Sequence, residues 1–249
     1  MKTAIITGGS RGLGQNTALK LGEKGVDVIL TYRSGQDEAA EVVAALQAMG
    51  RKAAALKLDV GKSSTFPAFV EAVREVLAGW GRDRFDYLVN NAGIGLNKPL
   101  LETLEAEFDE LMAIHLKGPF FLSNALYPLL ADGGQVVNIS SGLARFAVPG
   151  LGTYGTMKGA LETLTRYQAK EWGARGITCN VIAPGPVETD FGGGVTRDNK
   201  EVNARYASMA ALGRVGLPDD VGGAVTSLLT GENRWITAQR IEVSGGFYL

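Results

Sequence analysis

The segment Thr7-Gly8-Gly9-Ser10-Arg11-Gly12-Leu13-Gly14 separates a short β-type run, Thr3–Thr7, from a helical pattern, Gly12–Lys24. A second β-type run, Val26–Tyr32, follows, so the first thirty-odd residues predict a strand, a helix and a parallel strand. Glycines between a strand and a helix permit a tight turn, and they let a phosphate approach the N–H groups at the positive end of the helix. The segment predicts a phosphate-binding turn, with a plain tight connection as the alternative.

The alternation of strands and helices continues to the end of the chain. Further strands are predicted at 53–58, 85–90, 135–140, 177–182 and 240–243, and further helices at 36–49, 65–78, 104–115, 120–130, 153–173 and 219–229. Regular alternation implies a parallel sheet covered by helices on both faces. The prediction is one α/β domain over residues 1–249, with a doubly wound sheet of about seven strands.

Composition excludes several classes of protein. Hydrophobic residues make up 45% of the 249, yet no apolar run approaches the roughly eighteen residues that span a bilayer. The N-terminal run Ala4-Ile5-Ile6 is too short for a signal peptide. The one cysteine, Cys179, lies in a predicted buried strand, which favours a reducing cytoplasm and no metal site. The net charge of −1 forms no basic stripe. We expect a soluble cytoplasmic protein without nucleic-acid or membrane partners.

A second candidate region runs from Asn138 to Lys158. The apolar run before it predicts a strand that ends at Ser140-Ser141, where open α/β sheets keep their ligands. Tyr154 and Lys158 are four residues apart on the next predicted helix and therefore share a face. A phenol has a pKa of about 10, and a nearby cation lowers that pKa by favouring phenolate. The sequence predicts an acid/base site in which Lys158 tunes Tyr154.

The end of the second predicted strand bears on cofactor choice. A protein that binds NAD usually has Asp or Glu there to accept from the ribose 2′-hydroxyl, but this chain has Thr31-Tyr32-Arg33-Ser34. Arg33, with Arg11 and Ser10, offers charge-assisted donors to a 2′-phosphate. The alternative is that both arginines are ordinary surface charges. The prediction is NADP(H) in preference to NAD(H).

Taken together, these motifs resemble the classical short-chain dehydrogenase/reductase family, in particular its 3-oxoacyl-[acyl-carrier-protein] reductase-like members. The resemblance is carried by Thr7–Gly14, Asn90–Gly93, Ser141, Tyr154-x-x-x-Lys158 and Pro184-Gly185, in this order and spacing. It extends to the tail, through 213–220 and 242–246. It implies a Rossmann fold that spans nearly the whole chain.

The resemblance also implies residue roles. Tyr154 would give a proton to a carbonyl oxygen as hydride arrives, Ser141 would bond that oxygen, and Lys158 would bind the ribose. The implied cofactor-binding residues are Gly8, Ser10, Arg11, Gly12, Leu13, Gly14, Arg33, Asp59, Val60, Asn90, Ala92, Gly93, Tyr154, Lys158, Pro184, Gly185, Val187 and Thr189. Structural alternatives exist: Asp59 as a turn cap, Asn90 as a tie between strands, and Pro184-Gly185 as a chain reversal.

One position departs from the family pattern. Where the family usually has Asn in an Asn-x-x-Gly pattern, this chain has His115-Leu-Lys-Gly118. His115 can donate and accept, so it is a fourth candidate catalytic residue that would hold the relay water, and it is expected to titrate near neutral pH. The alternative is a merely packed histidine. Lacking neighbouring ligands, it predicts no metal site.

Substrate specificity is assigned to the substrate-loop segment at about 187–212, whose three consecutive glycines suit a mobile closing segment, and to the wall 143–151. Phe146, Phe191, Tyr206 and Met209 indicate an apolar pocket. The predicted activity is reduction of a carbonyl, by a 3-oxoacyl (ACP/CoA) reductase-like enzyme or a general ketone reductase. The alternatives are a sugar or alcohol dehydrogenase and a non-catalytic NADP(H)-binding regulatory module. The resemblance implies a homotetramer, or a homodimer, with 102–130 and 153–173 as interfaces.

Overall fold

The computed structural model describes residues 1–249 and contains one seven-stranded sheet. All strands are parallel, in the order β3-β2-β1-β4-β5-β6-β7. They are β1 Thr3–Ile6, β2 Asp27–Tyr32, β3 Ala53–Lys57, β4 Phe85–Asn90, β5 Leu130–Ile139, β6 Thr178–Pro184 and β7 Arg240–Val243. The predicted doubly wound parallel sheet is confirmed, and the order of strands reverses between β1 and β4, where a ligand crevice is expected.

Nine helices accompany the sheet. They are α1 Gly12–Glu23, α2 Gln36–Ala48, α3 Phe66–Gly79, α4 Glu105–Met112, α5 Gly118–Leu126, α6 Gly152–Trp172, α7 Val195–Asp198, α8 Lys200–Ser208 and α9 Pro218–Thr230. The predicted helices agree with these bounds to within two residues, except between 104 and 130. No helix is long and apolar enough to cross a membrane.

Alternate side chains of the central strands belong to two separate hydrophobic cores. Ile6 of β1 and Leu30 of β2 belong to one cluster with residues of α1, α2 and α9, whereas Ile5 and Ile29 belong to the other with residues of α3, α5 and α6. All four side chains are fully buried. Burial of one such side chain stabilises a fold by about 1.5–3 kcal/mol. The central strands therefore carry apolar side chains on both faces of the sheet, and helices cover both faces.

Between 105 and 129 the chain is helical without the break that the sequence predicts at 116–119. A π-helical turn, Ala113–Lys117, joins α4 to α5 without a break, and a 3₁₀ turn, Tyr127–Leu129, leads directly into β5. Gly118 allows close packing here, since a Cβ atom would lie 2.6 Å from the Val60 carbonyl oxygen. The wider turn disturbs the 3.6-residue period, which is why the sequence pattern divides there.

The substrate-loop segment is also more regular than the sequence predicts. Its second half forms α7 and α8, and the Asn199 side chain caps α8 by accepting hydrogen bonds from the N–H groups of Glu201 and Val202 at 3.0 and 3.1 Å. A capping Asn satisfies N–H groups that the first helical turn leaves free. The irregular backbone expected of the whole segment remains outside these two helices, and it includes Phe191–Gly194.

Candidate active site

The carboxyl ends of the central strands bring the predicted catalytic residues together. Ser141 follows β5 by two residues, Tyr154 and Lys158 lie in the first two turns of α6, and His115 lies in the π-helical turn. The His115 ring is 5.1 Å from the Tyr154 ring, and the Lys158 Nζ atom is 5.5 Å from the centre of the same ring. Tyr154 is therefore the centre of the cluster.

Tyr154 is a protonated phenol in a buried position. Burial raises the pKa of Tyr154 above its usual value, and a hydrogen bond with the Ser141 side chain opposes that rise only in part. The Ser141 hydroxyl also accepts from the Leu143 N–H at 3.2 Å, which fixes its oxygen at the end of β5. The sequence predicts a phenol pKa lowered by Lys158; in the protein, desolvation dominates and the direction is reversed.

Lys158 is as buried as Tyr154. Its Nζ atom donates to the Ile139 carbonyl oxygen at 2.7 Å, and burial lowers the pKa of Lys158 to about 7. An ammonium in an apolar environment loses hydration that one carbonyl does not replace, so the neutral amine is favoured. At neutral pH Lys158 therefore exchanges readily between its charged and neutral forms.

His115 is packed against Tyr154 edge to face, at an angle of 85° between the rings. Its Nε2 atom lies 2.8 Å from the Ile94 carbonyl oxygen, while its Nδ1 atom is buried without a partner. Burial, and then the charge of Lys158, lower the pKa of His115 to about 3. The expected titration near neutral pH is therefore wrong. Gly93 makes this packing possible, because a Cβ atom there would lie 2.7 Å from the His115 Cε1 atom.

The glycine turn after β1 has the shape of a phosphate cradle. Gly8 has φ +64°, which favours glycine, and a Cβ atom on Gly14 would collide with the Gly8 carbonyl oxygen. The Asn91 side chain donates to the carbonyl oxygens of Thr7 and Gly8 at 2.9 and 3.0 Å. These contacts hold the turn against the chain after β4. Helix α1 begins directly behind the turn, and its first N–H groups, which have no partner within the helix, are available to an anion.

The second strand ends beside this turn. The Gly9 N–H donates to the Thr31 carbonyl oxygen at 2.9 Å. The Ser10 side chain lies near Gly35, since a Cβ atom at Gly35 would be 3.5 Å from the Ser10 Oγ atom. Arg11 and Arg33 are both exposed at this edge. Two acidic residues, Asp37 and Glu38, lie in the first turn of α2, and the Glu38 Oε2 atom would lie 2.8 Å from a Cβ atom at Gly35. The residues fit a nucleotide phosphate, with Glu38 as a nearby opposing charge.

At the ends of β3 and β4 the side chains make structural contacts. Asp59 accepts from the Gly61 N–H at 3.1 Å, which is the turn-capping role. The Asn90 side chain donates to Asn138 at 2.7 Å and to Ser123 at 3.0 Å, so it ties β4 to β5 and α5. The side chains of these two residues thus have the alternative roles that the sequence leaves open, while their backbones remain at the crevice.

The chain after β6 closes the crevice opposite the glycine turn. Thr189 is buried, and a Cβ atom on Gly12 would lie 3.7 Å from the Thr189 Cβ. Val187 pairs with Gly216 in an isolated parallel bridge. A side chain at Gly185 would not fit, because a Cβ atom there would lie 2.8 Å from the Ser244 Cβ atom. Pro184 is the last residue of β6. Pro184, Gly185, Val187 and Thr189 therefore lie together at the carboxyl end of β6, with Thr189 facing Gly12.

The four residues expected to form an apolar pocket are divided between the candidate site and the C-terminal tail. Phe191 contacts the site, with its ring 5.8 Å from the Tyr154 ring. In contrast, Phe146 and Tyr206 stack on Phe247 at 5.3 and 6.1 Å, in an aromatic cluster with the C-terminal tail. The Met209 carbonyl oxygen also binds the tail, through the Tyr248 N–H. Three of the four predicted pocket residues thus anchor the chain end.

Two sets of supporting residues escaped the sequence analysis. The Thr7 hydroxyl accepts from the N–H groups of Asn91 and Ala92 at 2.9 and 3.0 Å and so joins the glycine turn to the Asn90–Gly93 motif. Each motif is recognisable in the sequence, but the contact between them is not. Arg240 of β7 donates to Glu162 at 2.8 Å, and Glu162 accepts from Ser140 at 2.8 Å, next to Ser141. No local signal identifies this second set, since it joins distant segments. No cluster of three metal-ligating side chains occurs.

The chain is similar to known proteins over nearly its whole length. Residues 8–248 match the protein family described as Enoyl-(Acyl carrier protein) reductase. The chain is 33% identical to the hydroxynaphthalene reductase arp2 of Aspergillus fumigatus, over 96% of this chain and 89% of that protein. It is also 33% identical to the 3-oxoacyl-[acyl-carrier-protein] reductase FabG of Staphylococcus epidermidis, over 100% of this chain and 99% of that protein.

Solved structures resemble the fold closely. The angucycline C-6 ketoreductase LanV with bound NADP superposes with a TM-score of 0.94 at 35% identity, covering 99% of this chain and 95% of that chain. A blue fluorescent protein from a metagenomic library, in complex with NADPH, superposes with a TM-score of 0.90 at 34% identity, covering 100% and 98%. Both similarities extend over the whole sheet and the candidate site.

Proposed function

Because the chain belongs to the short-chain dehydrogenase/reductase family, whose members are NAD(P)-dependent oxidoreductases acting on C=O or CH–OH groups, we propose that it reduces a ketone with NADPH and that Tyr154 is the proton donor. The observation that carries the proposal is the buried Tyr154, bonded to Ser141, with Lys158 four residues later beside its ring. A binding module without chemistry has no need of this arrangement, which argues against the regulatory alternative.

Protonated Tyr154 is the form that carbonyl reduction requires. When bound, the nicotinamide supplies hydride to the carbonyl carbon. The Tyr154 phenol, whose pKa is raised by burial, holds its proton until the carbonyl oxygen becomes basic, and then donates it. The Ser141 hydroxyl orients that oxygen and stabilises its developing charge. Lys158, whose pKa is about 7, donates to the Ile139 carbonyl and restores positive charge near the phenol when protonated.

The preference for NADPH rests on the edge formed by the glycine turn and the end of β2. Arg11, Arg33 and Ser10 lie there without a carboxylate at the strand end itself, and they would hold the 2′-phosphate. Glu38 opposes the preference. The use of NADP by LanV and of NADPH by the blue fluorescent protein supports the same cofactor for this chain.

His115 would take the position of the family's usual asparagine. The Nε2 atom lies 2.8 Å from the Ile94 carbonyl oxygen and 3.3 Å from the Ile94 N–H group. The shorter contact favours the tautomer that carries the proton on Nε2, which leaves Nδ1 as a buried acceptor without a partner. A buried acceptor of this kind is normally satisfied by water. We expect a water on Nδ1 to pass protons toward Lys158, with neutral His115 at every pH near neutrality.

The substrate is a ketone, with 3-oxoacyl thioesters and free ketones as the two candidates. The names of the relatives, a hydroxynaphthalene reductase, a 3-oxoacyl-[acyl-carrier-protein] reductase and a ketoreductase, support carbonyl reduction over sugar or alcohol oxidation. The test is oxidation of NADPH and NADH with 3-oxoacyl thioesters, diketones, ketoses and aryl ketones, with Tyr154→Phe as the control. Binding of NADPH without turnover on any of them would refute the reductase.

Assembly is proposed on the outer face of α4, α5 and α6. A groove of about 790 Å³ lies between them and is lined by apolar side chains that include Phe120, Phe121 and Tyr167. Phe121 and Tyr167 expose 48% and 63% of their surface, which is unusual for large apolar groups without a partner. We expect a homotetramer, or a homodimer, through this groove. Phe121→Glu should lower the mass measured by light scattering, and an unchanged mass would reject this interface.

A further inference from the structure

Phe191 lies across the opening of the candidate site. Its ring is 5.8 Å from the Tyr154 ring at an angle of 56°, and on its other side it reaches Gly95, where a Cβ atom would lie 3.3 Å from the phenyl. In spite of these two contacts, 48% of its surface remains exposed. The phenyl ring therefore bridges the two walls of the site and still presents a free apolar surface.

The backbone that carries Phe191 is fixed on both sides and free to move between them. Gly192, Gly193 and Gly194 have φ values of +64°, +76° and +76°. Before them, the Phe191 N–H donates to the Thr189 hydroxyl at 3.2 Å. After them, Arg197 pairs with Asp198 and with Asp190, which lies on the other side of the three glycines in the chain. Three glycines in succession can change conformation without side-chain strain, so the ring can shift to admit a ligand.

The charges around the opening are balanced. Each of the segments 95–98, 141–151 and 187–198 carries one cationic residue, and each of these cations is paired with a carboxylate. The pairs are Lys98 with Glu107, Arg145 with Glu242, and Arg197 with Asp190 and Asp198. An acidic carrier protein is attracted by unpaired cations around the opening. The rim segments next to Phe191 offer it none, whereas Lys200 and Arg205 of α8, farther along the substrate-loop segment, are exposed and outside any ion pair. The immediate rim of the opening therefore favours an uncharged ligand.

We propose that Phe191 determines substrate specificity and that the substrate is a flat, fused-ring aromatic ketone rather than a carrier-bound thioester. Aromatic rings attract one another at centroid distances of 4.5–7 Å beyond their burial alone. A flat ligand that enters beside Tyr154 would stack on the exposed surface of Phe191 while its carbonyl reaches the phenol. The inference rests on the proposed ketone reduction and adds the class of ketone.

The test compares a fused-ring ketone, 2-tetralone, with cyclohexanone and acetoacetyl-CoA. In Phe191→Leu, kcat/KM for 2-tetralone relative to cyclohexanone should fall roughly three- to tenfold, because the ring attraction is lost while an apolar side chain remains. Phe191→Tyr should retain the wild-type ratio. Phe108→Leu is the matched control, since Phe108 is a similarly exposed phenylalanine, at 41%, on α4 outside the site. In addition, 2-naphthol should inhibit the wild type more strongly than Phe191→Leu.

The outcomes separate the two proposals. An unchanged ratio in an active Phe191→Leu variant, or a higher kcat/KM for acetoacetyl-CoA than for 2-tetralone in the wild type, would overturn the role of Phe191. If the wild type reduces no ketone, the proposed function fails instead. The aromatic site is then judged by equilibrium dialysis of 2-naphthol with NADP⁺ present: binding that Phe191→Leu weakens supports it, and equal binding to both proteins rejects it.

Discussion

Replacement of Lys158 by methionine is expected to make the protein more stable at neutral pH while it removes activity. Burial holds the pKa of Lys158 at about 7, against 10.5 for an ordinary lysine. Between these two values the unfolded chain binds a proton that the folded chain releases. The stability of the wild type therefore rises with pH across the window from about 7 to 10.5, and below it the protein carries the full cost of burying an ammonium.

The size of the effect follows from the shift. A displacement of about 3.5 pKa units at about 1.36 kcal/mol each sets an upper bound near 5 kcal/mol, of which about 4 kcal/mol is present at pH 7 and about 2 kcal/mol at pH 9. Loss of the hydrogen bond to the Ile139 carbonyl offsets about 1 kcal/mol. The Lys158→Met variant should be more stable than the wild type by about 3 kcal/mol at pH 7 and by about 1 kcal/mol at pH 9.

Urea unfolding at pH 7 and pH 9, without cofactor, measures this difference. Cys179 and Tyr154, whose pKa values are raised by burial, titrate in both proteins, so their contributions cancel. Lys170→Met, an exposed position on the same helix, is the control and should show no pH-dependent difference. A Lys158→Met variant that differs from the wild type equally at both pH values would show that the buried ammonium does not destabilise the fold.

Three further predictions concern catalysis and cofactor choice. Tyr154→Phe should lower kcat by about 10²–10⁴-fold and leave the Kd for NADPH, followed by its fluorescence, nearly unchanged; retained turnover would remove Tyr154 as proton donor. Arg33→Ser should lower the preference for NADPH over NADH by roughly 10–100-fold in kcat/KM, because a charge-assisted contact to the 2′-phosphate is lost, and an unchanged ratio would exclude Arg33 from that contact. His115→Asn should keep substantial turnover and His115→Leu should lose most of it. Because the pKa of His115 is about 3, His115 should not change its charge between pH 5 and 8, and the wild type and His115→Asn should have pH–rate profiles of the same shape in that range. Equal activity in the wild type and both variants would reject the proton relay through His115.

Local features of the fold and the site were predictable from the sequence. Each predicted strand overlaps an observed one because strand ends coincide with turn residues, and β4 and β7 agree at both bounds. The proximity of Tyr154 and Lys158 follows from helical geometry alone, and it is present in α6.

Features that depend on the surroundings were not predictable. The direction of the Tyr154 pKa shift is set by burial under His115 and Phe191, and these residues lie 39 and 37 positions away in the chain. For the same reason the sequence assigns Phe146 to the pocket, although its partners, Phe247 and Tyr248, are at the end of the chain. Spacing identifies which groups are present, whereas their electrostatics depend on what excludes water from them.

The π-helical turn at Ala113–Lys117 has a consequence for insertions and deletions. Its hydrogen bonds close over five residues instead of four, so it holds one more residue than an α-helical turn. Deletion of one residue from α4 would rotate every later side chain of the run by about 100° and take Leu122 and Leu126 out of the core. Deletion within the turn would restore a regular helix and keep both leucines in place. Variation in helix length is therefore confined to the turn that carries His115, so a change of one residue in length there is also a change in the active site.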